Sequence, residues 1–254
     1  MLKVLFSMFF SPLEQFEIFG IVNFLSLNFL LVSNFFVVFL INLNIIFWFF
    51  STPLKIFFFI NSRVYFLKVA LISFIQKVLK ENLLIKHFFM FSFLSSLFLL
   101  VLTSNLSGMV PFSFTLTSLY VFTFFFSIAY FLGSNFIGFC VNGQKLLHVF
   151  LPGGSPLLIS VLLILIELIS YFARVFSLSI RLFSNLMAGH TLLKILIEFS
   201  FNFLIQGFFF AFLATIPGFI VFIITFLETV IAFMQAYVFL ILIVIYLNET
   251  IYPH

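Results

Sequence analysis

The sequence predicts an all-α integral membrane protein with about five membrane helices and one amphipathic surface helix. Two observations lead to this class. Hydrophobic residues occupy 65% of the 254 positions and charged residues only 7%, against about 25% charged residues in soluble domains. Several apolar runs also reach or exceed the roughly 20 residues that a helix needs to cross a bilayer. A soluble domain could not bury this much apolar surface, so residues 1–254 are interpreted as one membrane domain.

The N-terminal third contains one predicted span and one basic segment. Residues 1–20 are mixed in polarity and lack the features of a cleavable targeting peptide, so we expect no removable leader. The first predicted span covers residues 21–50, and Pro53 ends it. Residues 54–87 hold six of the eleven Lys and Arg residues. The positive-inside rule places them on the cytoplasmic or matrix side, either as a surface helix or as a solvated loop.

Four further apolar segments follow, and the last two are unusually long. Residues 88–107 and 114–140 are predicted as single spans. Residues 155–202 and 208–248 are each about twice as long as one crossing requires. The first of these is either two spans with a break near Gly189 or one very long, steeply inclined helix, and the second poses the same choice. Tilt in lipid alone rarely exceeds about 40°, so an inclined pair needs a protein neighbour.

The first long segment carries charges where lipid makes them unfavourable. Arg181 keeps its proton at any working pH, and it costs at least about 3 kcal/mol in lipid-facing sequence. It must therefore face a protein partner or a water-filled cavity. Glu167 and Arg174 precede it at heptad spacing, which sets the three on nearly one helical face, and Asn185 continues that stripe. A simple ion pair between Glu167 and Arg174 remains the alternative.

A second set of polar residues is distributed over both long segments. His190 lies about 13 Å beyond Arg181 on roughly the opposite side of the helix. Glu228 has no cation nearby in the sequence, and His190 is its predicted partner in a relay whose protonation changes near neutral pH. Gln235 follows Glu228 by one heptad. Each of these residues could instead be a packing or helix–helix contact residue. If the acidic end of the first stripe and the histidine end each line a cavity, the two cavities open at different positions along and around the helix. Arg181 would then lie between them.

Other chemistries find little support. The four His and one Cys are badly placed to pair as ligands of a haem or a metal, so no cofactor or metal is predicted. The net charge of +4 is explained by membrane topology, so we expect no nucleic-acid partner. A secondary transporter, a respiratory-complex membrane subunit and a structural anchor remain as alternatives to a proton-handling protein. Transporters usually contain an internal repeat, which this sequence lacks.

Four motifs carry a resemblance to a known family. They are SPLEQFE at 11–17, NLSGMVPFSFT at 105–115, SIRLFSNLMAGH at 179–190, and LE, QAYVF and YLNE within 227–249. Together they resemble subunit a of the F-type ATP synthase, mitochondrial branch, the stator subunit of its proton channel. The resemblance covers nearly the whole chain, and the third motif is highly specific. Residues 117–120, TSLY, depart from the family pattern, in which His is common after Thr-Ser.

The resemblance implies that seven residues take part in proton translocation. They are Arg181, His190, Glu228, Glu167, Glu249, Asn185 and Gln235. Arg181 matches the essential arginine, and His190 and Glu228 match the polar pair of the half-channel that admits protons. Glu167 and Glu249 match the acidic residues of the matrix-side half-channel. The remaining two, Asn185 and Gln235, match polar residues near the arginine and the half-channel that admits protons.

The resemblance also implies partners and a location. The partners are a ring of c subunits, other stator and membrane-sector subunits, membrane lipid and protons. The last two helices would lie long and steeply inclined against the ring, which supplies the neighbour that such helices need. The chain would have no catalytic or nucleotide site and no cofactor. It would be a multi-pass protein of the mitochondrial inner membrane, with residues 54–87 on the matrix side.

Overall fold

The computed structural model describes residues 16–18, 20–22, 32–51, 62–82, 89–110, 113–143, 157–205 and 208–251. Most of this part of the chain is helical. Its helices are α1 Asn34–Ser51, α2 Ser62–Asn82, α3 Phe89–Gly108, α4 Tyr120–Asn142, α5 Leu157–Ile205 and α6 Phe208–Ile251. A short antiparallel pairing of Gly20–Val22 (β1) with Val32–Ser33 (β2) precedes α1.

The first helix begins later than the sequence predicts. The predicted span starts at residue 21, whereas α1 starts at Asn34. Ser33 fixes this start, because its hydroxyl accepts a hydrogen bond from the backbone N–H of Phe36 at 3.3 Å, as a serine N-cap does. The apolar run has no periodic signal that would locate this cap, so composition alone extends the span too far toward the N-terminus.

The basic segment predicted at residues 54–87 contains α2. Lys77 and Lys80 are exposed, but Lys68 has only 6% of its surface exposed. The Lys68 ammonium lies 5.0 Å from the centre of the Phe49 ring in a cation–π contact. Burial lowers the pKa of Lys68, because desolvation disfavours the charged form. One of the cations of this segment, Lys68, is therefore buried in the protein and does not face solvent.

Each of the two long apolar segments forms one unbroken helix. Helix α5 has 49 residues, about 74 Å at 1.5 Å per residue, and Gly189 lies inside it. The alternative of two spans with a break near Gly189 is therefore wrong. Helix α6 has 44 residues and continues through Pro217, whose missing N–H leaves one carbonyl of the preceding turn without a helical partner.

Within the described residues, five helices are long and apolar enough to cross a membrane. The qualifying stretches are Asn34–Ser51, Phe91–Gly108, Tyr120–Asn142, Leu162–Ile205 and Ala214–Ile251. Helix α2 does not qualify. The predicted all-α membrane class, with five membrane helices and one further helix, is confirmed. The placement of α2 along the membrane surface stays a prediction.

The chain packs as two compact units. Unit 1 comprises Met1–Ile45, Val101–Leu119 and Leu182–Gln235, and unit 2 comprises Ile46–Leu100, Tyr120–Arg181 and Ala236–His254. In the described part of unit 1, Leu182, Leu186 and Leu193 of α5 are buried, and so are Ala214 and Ala232 of α6. Small residues such as these alanines let neighbouring helix backbones approach closely.

Aromatic rings pack much of unit 2. Phe239 of α6 meets Phe126 and Tyr130 of α4, with ring centroids 6.1 Å apart in both pairs. Phe98 of α3 is almost fully buried, and its ring centroid lies 6.1 Å from that of Phe74 on α2. The abundant phenylalanines of this chain therefore fill a core here as well as covering apolar surface.

Candidate functional site

A buried carboxyl group lies against a glycine in unit 1. Glu228 of α6 has 7% of its surface exposed, and neither carboxylate oxygen has a hydrogen-bond partner among the described residues. Its side chain packs on the backbone of α5 at Gly189. A Cβ at Gly189 would lie 3.0 Å from Glu228 Cδ and 3.3 Å from Cγ. The carboxyl group fits because residue 189 has no side chain.

Unit 1 also contains a buried imidazole nitrogen. His190 follows Gly189 on α5, and its Nε2 is buried without a hydrogen-bond partner in the described part of the chain. This Nε2 lies 3.3 Å from the point that a Cβ at Gly108 of α3 would occupy. The predicted partners therefore lie against different glycines, Glu228 against Gly189 of α5 and His190 near Gly108 of α3. No direct hydrogen bond joins their described side chains.

Two amide contacts connect the helices around this pair. Asn185 Nδ2 donates to Gln235 Oε1 at 3.0 Å, which ties α5 to α6. Asn105 of α3 donates to the backbone carbonyl of Ala232 at 3.3 Å, and its own Oδ1 is buried without a described partner. The sequence predicts Asn185 and Gln235 as site residues but does not single out Asn105. The available signal was the position of Asn105 at the start of the motif NLSGMVPFSFT.

The unpartnered atoms determine what this part of unit 1 can do chemically. Such atoms include those of Asn105, His190 and Glu228, on α3, α5 and α6. A buried polar atom without a hydrogen bond costs about 1–3 kcal/mol, and buried water ordinarily satisfies such atoms. A carboxyl group and an imidazole that are bridged by water can pass a proton between them. The group is therefore suited to proton transfer through ordered water.

Arg181 lies in unit 2 and is exposed. Its Nη2 donates to Ser177 Oγ at 3.5 Å, which is beyond the usual range of such bonds. No carboxylate in the described ranges lies within salt-bridge distance of the guanidinium. Ile180, which precedes it on α5, and Ser177, one turn earlier, are also exposed. A permanent charge is thus exposed on a helix long enough to cross a membrane.

A second arginine of unit 2 is paired within the chain. Arg174 Nη1 donates to Glu249 Oε2 in an ion pair, and its guanidinium carbon lies 5.3 Å from the centre of the Tyr246 ring. The alternative predicted from sequence, an ion pair between Glu167 and Arg174, is not formed. Glu167 is half-buried and makes no salt bridge to a described residue. The observed partner lies 75 residues away, beyond the reach of helical spacing rules.

The ion pair between Arg174 and Glu249 leads to a testable expectation. Arg174→Ala removes one partner and leaves Glu249 as an unpaired anion, so we expect less subunit in the assembled membrane complex. Glu249→Ala in the same chain removes that anion and should restore part of the loss, since the coupling of a partly exposed pair is about 1 kcal/mol. Quantitative immunoblotting of the isolated complex measures this. Glu249→Ala is also measured alone. If the loss in the double variant equals the sum of the losses in the two single variants, the pair is not coupled.

Metal ligands do not cluster in the described part of either unit. Across residues 16–18, 20–22, 32–51, 62–82, 89–110, 113–143, 157–205 and 208–251, no three His, Cys, Asp or Glu side chains are placed together to hold a metal ion.

Comparison with protein families identifies the chain. The family model described as the ATP synthase A chain matches residues 30–248, which is most of the sequence. The chain belongs to this family. The matched range includes Arg181, His190 and Glu228, and it ends one residue before Glu249.

Individual relatives extend the similarity across the ATP synthase A chain. Subunit a of the ATP synthase of Chondrus crispus is 42% identical over 250 residues, which cover 96% of this chain and 97% of that protein. The subunit of Oenothera berteroana is 48% identical over 158 residues, 62% of this chain and 56% of that protein. That of Parvibaculum lavamentivorans is 39% identical over 181 residues, 71% and 70% of the two chains.

Family membership establishes the general role of the chain. The chain is a membrane-sector subunit of ATP synthase. The alternatives of a secondary transporter, a respiratory-complex subunit and an unrelated membrane anchor are therefore set aside.

Proposed function

We propose that this subunit conducts protons to and from the carboxylates of a c-subunit ring through two offset aqueous half-channels that Arg181 separates. This proton flow drives rotation of the ring. The observation that carries the proposal is the exposed guanidinium of Arg181, which no described carboxylate neutralises. Within a membrane such a charge requires an acidic partner or water outside the chain. A carboxylate on the ring supplies that partner.

The first half-channel admits protons past Glu228 and His190. Water bound by their unpartnered atoms carries the proton to a ring carboxylate and neutralises it. The hydrogen bond between Asn185 and Gln235 holds the flanking parts of α5 and α6 in place. The neutral carboxyl group then moves through lipid as the ring turns, because the free energy of placing a bare charge there is prohibitive.

The second half-channel releases the proton. The fixed charge of Arg181 favours the ionised form of an arriving ring carboxylate, which gives up its proton toward Glu167 and Glu249. Glu249 remains accessible to water, since 42% of its side chain is exposed in the ion pair with Arg174. Arg181 also repels protons that would hop directly between the half-channels. Each charge that crosses 100 mV releases about 2.3 kcal/mol, so several protons pass for each ATP made elsewhere in the complex.

The chain is proposed to be a multi-pass protein of the mitochondrial inner membrane. The excess of Lys and Arg in residues 54–87 supports a matrix-side location for that segment. Helices α5 and α6 are each more than twice as long as the roughly 30 Å hydrocarbon layer is thick. They are therefore proposed to lie steeply inclined against the ring, with lipid and other stator subunits on their remaining faces. Nucleotide binding and catalysis are assigned to other subunits.

Crosslinking in the intact complex tests the ring as partner. A photoreactive amino acid at Ser177, one helical turn before Arg181 and exposed, should capture a small proteolipid with a mid-membrane carboxylate. Phe136 of α4, 71% exposed in the same unit, is the matched control and should capture little of that proteolipid. Equal capture at both positions, or capture at Ser177 of a protein without such a carboxylate, would contradict the proposal.

A further inference from the structure

Three hydroxyl side chains are buried together in unit 1, in the turn that follows α3. They belong to Thr115, Thr117 and Ser118, which we call the hydroxyl turn, and their exposed fractions are 4%, 3% and 3%. Residues Leu116–Ser118 form a single 3-10 turn. A buried hydroxyl group is unfavourable unless it makes a hydrogen bond. One that makes none calls for a functional explanation.

Hydrogen bonds within the turn account for two of the three hydroxyls. Thr115 Oγ1 donates to Ser118 Oγ, and Ser118 Oγ donates to the backbone carbonyl of Thr115 at 2.7 Å. Thr117 Oγ1 is buried and has no hydrogen-bond partner among the residues that the structure describes. Valine would fill the same space without an unpaired polar atom, so packing alone does not account for threonine at this position.

The hydroxyl turn meets His190 across Gly108. Thr115 Cβ and His190 Nε2 both lie 3.3 Å from the point that a Cβ at Gly108 would occupy, and Thr115 Cγ2 lies 2.5 Å from it. Glycine at residue 108 therefore lets the turn and the imidazole approach the backbone of α3 closely. Among the described residues His190 Nε2 has no partner, and neither has the buried Oδ1 of Asn105, one helical turn before Gly108.

We propose that the hydroxyl turn and Asn105 form the part of the uptake half-channel that delivers protons to His190. The proposal rests on the proposed function and adds the residues upstream of the imidazole. The Thr117 hydroxyl, which has no partner among the described residues, carries the relay, while Thr115 and Ser118 hold the turn in place through their own hydrogen bonds. The Thr117 oxygen accepts a hydrogen bond and a proton from a protonated water on one side and gives up its own proton to a water on the other. One proton enters and one leaves, so only O–H bonds are exchanged and no other reactant is needed.

Thr117→Val is the first test. It preserves the shape of the side chain and removes an unpaired hydroxyl, so a purely structural role predicts an unchanged or larger amount of assembled complex and unchanged activity. The proton-path role predicts the same amount of complex with an initial rate of ATP synthesis about fivefold lower in reconstituted vesicles under an imposed proton gradient. The deficit should shrink as the uptake side is acidified at constant total driving force, because proton delivery then limits the rate less. Thr117→Ser should restore the rate.

A matched valine substitution controls for general effects. Thr123 of α4 is equally buried at 3% exposed, but its hydroxyl donates to the Tyr120 carbonyl at 3.0 Å. Thr123→Val should therefore leave the rate per assembled complex unchanged. A wild-type rate in Thr117→Val, or a deficit that does not respond to acidification of the uptake side, would overturn the proposal.

Gly108→Ala tests the close approach of the hydroxyl turn to His190. The added methyl group would lie 2.5 Å from Thr115 Cγ2 and displace the turn, so we expect a lower rate of proton uptake per assembled complex, again about fivefold. Gly218→Ala is the control, because no atom lies within 4 Å of its added Cβ. Glu228→Gln is measured in the same vesicles. If Glu228→Gln lowers the rate and both Thr117→Val and Gly108→Ala do not, only this inference fails; if Glu228→Gln retains the wild-type rate, the proposed function itself fails.

Discussion

Replacing Arg181 with alanine is expected to abolish ATP synthesis while the subunit remains assembled. The guanidinium is exposed, and it makes one long hydrogen bond to Ser177, which is exposed as well, so its removal leaves no buried group of the described residues unpaired. Its proposed role lies outside the chain, at the ring carboxylate. Loss of a fixed charge that stabilises the ionised partner should lower the rate about 10²-fold or more. The barrier between the half-channels is lost as well, so membranes that contain the variant should leak protons.

The measurement combines three quantities from the same membranes. They are the amount of assembled complex, the rate of ATP synthesis and the passive proton leak. Lys77→Ala, which removes an exposed cation of α2 outside the candidate spans, is the control and should change none of them. Synthesis at the normal rate in Arg181→Ala would contradict the role, and loss of the subunit from the membrane would favour a structural role.

Replacing Glu228 with glutamine should lower proton uptake by at least about tenfold without reducing assembly. Glutamine keeps the shape that fits against Gly189 but cannot take up and release a proton. Because neither oxygen of Glu228 has a described protein partner, the change breaks no described hydrogen bond. General acid–base groups contribute about 10²–10⁴-fold where proton transfer limits the rate, and water can partly replace the carboxyl group in a wet channel.

A second carboxyl group of unit 1 provides the matched control for this substitution. Glu198 of α5 is half-buried, and its Oε1, like the oxygens of Glu228, lacks a partner in the described ranges, but the proposal gives it no role. Glu198→Gln should therefore retain the rate of ATP synthesis per complex. Equal losses in the two variants, or a Glu228→Gln chain that is merely absent from the membrane, would show that the carboxyl group at residue 228 is structural.

Composition and span length predict the fold correctly, because a bilayer leaves few choices for the backbone. Every backbone polar group in lipid must be satisfied internally, so apolar runs of sufficient length become helices. The start of α1 was not predictable in this way, because the cap at Ser33 is a single local hydrogen bond in an otherwise uniform apolar run. The choice between two spans and one helix in α5 also needed the structure, since Gly189 is equally compatible with a break and with a close contact.

Residues whose chemistry is unusual for a membrane were predictable one by one, but their contacts were not. Arg181 and Glu228 stand out because a charge in an apolar run demands an explanation. The pairing of Arg174 with Glu249 and the bond from Asn105 to Ala232 join residues that are 75 and 127 positions apart. No spacing rule within one helix reaches that far. Thr117 and Gly108 look ordinary in the sequence, and only their burial and the close packing of Gly108 against Thr115 and His190 give them a proposed role.

The environment of Arg181 in the intact membrane complex distinguishes most directly between a proton-conducting stator and a self-contained membrane bundle. A density map of that complex should place its guanidinium at the rotor surface, in contact with a ring carboxylate or separated from it by one water molecule, with solvated cavities on both sides. A map in which Arg181 is neutralised by a carboxylate of its own chain and lies away from any rotor would contradict this mechanism.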